Sequence, residues 1–214
     1  MPTLAPVYSP QEELANTVTH GLGALFSLGA LVFLVVFSSL NGNAYHIVSS
    51  CIFGGSLLLL YSMSTCYHWV RTPRRKNIFR ALDHSSIFLL IAGTYTPFTL
   101  VTLQGGWGWT LFGLVWGLAV IGVALVIFPR RRLEKLSLIL YIAMGWLIII
   151  AAKPLLTNIA FGGLALLVGG GLCYTLGIAF YVWRSLAFNH AIWHLFVLAG
   201  SLLHFFAVFF YVVP

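Results

Sequence analysis

From Asn16 onward the chain alternates long apolar stretches with short polar breaks. Seven stretches stand out: Asn16–Ser39, Tyr45–Trp69, Ala81–Leu103, Trp107–Phe128, Leu133–Ala152, Asn158–Trp183 and His190–Val213. Each holds about 20 residues or more, enough to cross a hydrocarbon core of about 30 Å as a helix. Backbone groups in lipid must be satisfied within their own segment, which makes these stretches helices. The breaks "NGNA", "VRTPRRKNIFR", "QGG", "PRRR", "KPLLT" and "RSLAF" are too short to hold another domain. The pattern predicts an all-α membrane protein: a seven-transmembrane helix bundle over residues 16–214, preceded by a short segment, residues 1–15. That segment carries two glutamates and no basic n-region, so it is not expected to be a cleavable signal.

Composition agrees with this reading. The chain is 60% hydrophobic and only 7% charged, against about a quarter charged in soluble domains. The net charge of +7 raises the question of nucleic acid, and its distribution answers it. Arg71, Arg74, Arg75, Lys76 and Arg80 fall in the second break, Arg130, Arg131 and Arg132 in the fourth with Lys135 just after it, and Arg184 in the sixth; only Lys153 falls on the other side. This asymmetry marks the cytoplasmic face of a membrane protein, not a nucleic-acid surface. An odd number of spans then places the N-terminus in the cytoplasm and the C-terminus outside. Cys51, Cys66 and Cys173 have no metal-type spacing and read as free, apolar packing residues.

Ionisable groups inside a membrane bundle are functional candidates, and here they gather at one depth. Glu12, Glu13 and Asn16 begin span 1, His68 ends span 2, Asp83 and His84 begin span 3, and His190 and His194 begin span 7. His190 and His194 are one helical turn apart, the H-x-x-x-H spacing with which two imidazoles chelate an ion, although chance also produces it. Ser64 precedes His68 by the same interval. Three histidines with an open fourth position form the arrangement of catalytic zinc, with Asp83 either hydrogen-bonding the water or serving as fourth ligand. Helix ends near water offer a plainer alternative: His84 faces headgroups, and Glu12 or Glu13 complements the dipole of helix 1. His204, about 15 Å further along its helix than His194, cannot share the same ion and reads as a packed, hydrogen-bonded histidine.

The segments "EELAN", "STCYH", "LDHSSIFLLIAGTYTPF" and "NHAIWH" together resemble the progestin and adiponectin receptor family, and within it the bacterial branch called hemolysin III. The resemblance covers essentially the whole chain. It implies a seven-helix bundle with a cytoplasmic N-terminus in the bacterial inner membrane, with zinc held by His68, His190 and His194. It places Asp83 at the catalytic position, Ser64 beside it, and Glu13 and Asn16 in supporting roles. The family is similar to alkaline ceramidases, which implies zinc-dependent hydrolysis of an acyl-lipid amide or ester, with a membrane lipid as partner. No long N-terminal domain of the eukaryotic receptors precedes span 1, so adiponectin-type ligand binding is not implied. Two alternatives stay open: a non-enzymatic regulator of membrane state with a structural zinc, and a protein associated with cytolysis. Transport is disfavoured because no acidic residue lies in mid-membrane. The glycines of "FGGLALLVGGG" read as close helix packing, with room for acyl chains as the alternative.

Overall fold

The computed structural model describes residues 8–128 and 133–213. The basic cluster Arg130–Arg132 and the first seven positions of the N-terminal segment lie outside the described residues. The described chain is helical throughout, in the order α1 (Pro10–Asn41), α2 (Ala44–Trp69), α3 (Pro73–Pro97), α4 (Gly105–Ile127), α5 (Leu133–Gly145), α6 (Ala152–Asn158), α7 (Phe161–Val182) and α8 (Asn189–Tyr211). A π-helical turn (Phe98–Leu103) extends α3, and a 3-10 segment (Leu147–Ala151) joins α5 to α6. Among the described residues seven spans are long and apolar enough to cross a membrane, with α5, the 3-10 segment and α6 sharing the fifth.

Two helices start well before their apolar stretches. α1 begins at Pro10 because Ser9 caps it: the Ser9 hydroxyl accepts from the Glu12 N–H, and the Glu12 carboxylate accepts from the Ser9 N–H. α3 begins at Pro73, a residue suited to the first helical position. The apolar stretches mark the lipid-crossing part of these helices, and the helices run past it into polar sequence.

Span 5 departs further from expectation. It breaks after Gly145, and "KPLLT", expected as a connection, is helical within α6. Breaking a helix in mid-membrane frees backbone groups that need other partners, and Tyr95 of α3 supplies one. Its hydroxyl donates to the Met144 carbonyl at 2.8 Å and accepts from the Ile148 N–H at 2.8 Å. On α3 itself, Pro97 lacks the N–H a continuous helix requires, and the π-helical turn follows directly.

α1, α2 and α3 pack in sequence, α4 and α5 pack on α3, and α8 packs on both α1 and α7. The α1–α8 contact closes the bundle and brings the first and last spans together. Leu34, Phe53, Leu57 and Tyr61 anchor one core; Phe88, Leu111, Val115 and Met144 anchor the other. In span 6 the glycines serve close packing: a Cβ at Gly170 would collide with the His204 ring, and one at Gly177 with Phe196. Gly113 and Gly117 of α4, by contrast, face open space. The outward faces carry Leu25, Phe33, Val120 and Phe161, all more than half exposed, as a lipid-facing surface does.

Candidate metal centre

At the end of the bundle that carries the Arg71–Arg80 loop, four helices bring polar side chains inward. α8 starts after Phe188, whose left-handed backbone (φ 57°) turns the chain into the helix. His190 and His194 then lie on its buried face, and His68 reaches them from the last turn of α2. Ring centroids are separated by 5.0 Å (His68–His190), 5.2 Å (His68–His194) and 4.5 Å (His190–His194). All three side chains are buried, and each offers a nitrogen within 4.8 Å of the other two.

The hydrogen bonds divide each ring into a held side and a free side. His68 Nδ1 donates to the Glu13 carboxylate at 2.7 Å, with the Asn16 amide nitrogen 3.4 Å away. His194 Nδ1 lies 3.0 Å from the Thr19 hydroxyl. That hydroxyl gives its one hydrogen to the carbonyls of Ala15 and Asn16, so it accepts from the imidazole. His190 Nδ1 lies 3.1 Å from the Tyr8 hydroxyl. On all three rings Nε2 is buried without a partner. An outer partner that takes the Nδ1–H leaves the Nε2 lone pair for a metal, which is the usual arrangement around ligating histidines. Unpaired nitrogens buried together are costly in an apolar bundle, and a cation satisfies all three at once. The donor set suits zinc and other borderline divalent metals.

The supporting groups are themselves held. Glu13 accepts from Lys76 at 2.7 Å, and Lys76 lies over the Tyr67 ring, 4.9 Å from its centre. Glu12 accepts from the Phe188 N–H at 3.1 Å, tying the start of α1 to the start of α8. Burial pushes the Tyr8 phenol well above its ordinary range, so it stays a neutral hydroxyl beside His190.

Asp83 is buried on α3 but outside the group of mutually close ligand atoms. Its carboxylate lies 3.4 Å from His84, whose side chain is partly exposed. Ser64 does not touch the three histidines through a hydrogen bond among the described contacts; it bonds His20 of α1, Oγ to Nδ1, at 2.6 Å. His204 stands apart: its Nε2 donates to the Leu167 carbonyl at 3.0 Å. It forms part of the wall of an apolar cavity of about 170 Å³ lined also by Tyr95, Phe98, Trp146, Ile148 and Leu164.

Tyr8, Thr19 and His20 contribute to this site and were not singled out by the sequence reading. For His20 a signal existed: Glu13, Asn16 and His20 follow one another at intervals of three and four, which puts them on one helix face. Nothing local distinguishes Tyr8 or Thr19, whose roles depend on α8.

Fold and site together define a multi-pass α-helical membrane protein with a buried histidine cluster fit to hold a metal ion. A profile of proteins described as "Haemolysin-III related" matches residues 8–205. The chain is 50% identical over 204 residues to "Hemolysin-3" of Bacillus cereus, covering 95% of this chain and 93% of that one. It is 49% identical over 207 residues to "Hemolysin-3 homolog" of Bacillus subtilis (strain 168), covering 97% of each. It is also 28% identical over 206 residues to the human "Monocyte to macrophage differentiation factor", covering 92% of this chain and 83% of that one. The chain belongs to the haemolysin III family, the bacterial branch of the progestin and adiponectin receptor family.

Proposed function

We propose that this protein is a zinc-dependent hydrolase of an acyl-lipid amide or ester in the bacterial inner membrane. The observation that carries this reading is the convergence of one nitrogen from each of three buried histidines, whose Nε2 atoms have no hydrogen-bond partner, with no fourth ligand atom in the group among the described residues. Three protein ligands and an open position distinguish a catalytic zinc from a structural one, which takes four. A regulator that used zinc only as a staple would call for the closed arrangement.

His68, His190 and His194 would hold the ion, oriented by Glu13, Asn16, Tyr8 and Thr19. Zinc, when bound, lowers the pKa of a coordinated water and polarises a carbonyl. Asp83 would handle protons, taking one from the attacking water and returning it to the leaving amine or alcohol as the C–N or C–O bond breaks. Ser64 acts from the edge of the site. The apolar cavity beside His204 offers room for part of an acyl chain. The name Hemolysin-3 belongs to the B. cereus relative; for this chain we read any lysis as a consequence of altered membrane lipid.

The test is to incubate purified protein with a membrane lipid extract, with and without a chelator, and follow free fatty acids and their amine or alcohol partners by mass spectrometry. Products that appear only with metal support the hydrolase. Metal-loaded protein that leaves every lipid class unchanged would sink it.

The same reading sets the histidine cluster at the cytoplasmic end, on the strength of ten of eleven Lys and Arg residues falling on one side. A reporter fused to the C-terminus should therefore be active outside the membrane, and one inserted between Arg71 and Arg80 active inside. A cytoplasmic C-terminus would overturn the orientation.

A further inference from the structure

α1 brings one more imidazole to the site. His20 is 1% exposed, and its ring lies flat on His194, with centroids 3.4 Å apart and planes 13° from parallel. Tyr61 meets its edge at 5.0 Å. Its Nδ1 is held by Ser64, one helical turn before His68 on α2, and its Nε2 is buried without a partner. Apolar packing against His194 would be served as well by phenylalanine, without leaving a buried nitrogen unsatisfied. The position therefore uses the nitrogens as well as the ring.

The geometry points to His20 as a positioning residue for the metal centre. Two consecutive residues of α1 grip His194: Thr19 holds its Nδ1 edge and His20 covers its face. His20 is held in turn by Ser64, so a chain of contacts from Ser64 through His20 to His194 couples α2 to α8, the two helices that carry the ligands. The plane of His194 is thereby set relative to His68 before any ion arrives. Nε2 of His20 is left as a hydrogen-bonding position for an oxygen ligand that enters with the metal. This inference rests on His68, His190 and His194 being the ligands.

The test uses full-length protein in detergent, with cobalt(II) as a spectroscopic stand-in for zinc. His20→Phe keeps a flat ring against His194 and removes both nitrogens; Ser64→Ala removes the same hydrogen bond from the other side. Each is expected to weaken cobalt binding by about 10–100-fold, as loss of outer-shell support does, and to shift the visible ligand-field bands. Thermal unfolding of the metal-free His20→Phe protein should stay near that of the parent. Because both changes break one chain of contacts, the double variant should lose much less than the sum of the two. His20→Asn, which returns a polar group near the Nδ1 position, should recover part of the loss. A His20→Phe protein with parental affinity and spectrum would overturn the inference while leaving the ligand assignment intact; so would strictly additive losses. Should His20→Phe fail to fold, Ser64→Ala alone decides, and parental cobalt binding in that variant overturns the inference. Failure of the parent protein to take up cobalt would remove the ligand assignment and the inference together.

Discussion

Metal analysis of the purified protein is expected to find about one zinc ion per chain, and alanine at His68, His190 or His194 should abolish it. Each substitution removes one of the three histidines that offer close nitrogens among the described residues and leaves the Nε2 atoms of the other two buried without a partner. The remaining pair lacks the ligand count that holds zinc in a protein. Glu13→Gln should behave differently. The ligands remain, but the carboxylate that takes the His68 Nδ1–H at 2.7 Å becomes a neutral amide, and affinity should fall by about 10–100-fold. His204→Ala should retain the metal in full, since His204 bonds the Leu167 carbonyl and stands outside the close group. Equilibrium dialysis against a competing chelator reads all of these. Loss of zinc in His204→Ala, with retention in His190→Ala, would show that the ligands are misassigned.

Asp83→Asn should leave the metal bound while lipid turnover falls by about 10²–10⁴-fold, the usual contribution of a general base. The side chain is buried and outside the ligand group, so an isosteric amide preserves packing and removes only charge and basicity. Loss of zinc in this variant would make Asp83 a ligand. Retention of both zinc and full turnover would take Asp83 out of the chemistry, and with it the main support for proton transfer at this site.

The helix count and the gathering of polar groups at one end were legible in the sequence for separate reasons. Lipid gives the backbone no outside partners, so each crossing must be a long apolar run, and such runs are read directly. The pairs His190/His194 and Ser64/His68 share faces because helical periodicity is local. Span 5 escaped this logic. Its break after Gly145 is supported by Tyr95, some fifty positions earlier in the chain, and no local pattern announces a partner so distant. His20 shares a helix face with Glu13 and Asn16, but its significance comes from Ser64 and His194, on two other helices.

The sequence by itself determined how many spans are long and apolar enough to cross the membrane, and that the acids and imidazoles collect at one end, because each follows from hydrophobicity and helical spacing within one segment. Only the tertiary structure decided how each helix is turned about its axis. That rotation brings His68, His190 and His194 within ligand distance of one another while their Nδ1 atoms are taken by Glu13, Tyr8 and Thr19, leaves Asp83 outside that group, and stacks His20 on His194. It is set by side chains meeting across α1, α2 and α8, contacts between residues far apart in the chain whose partners no single segment specifies.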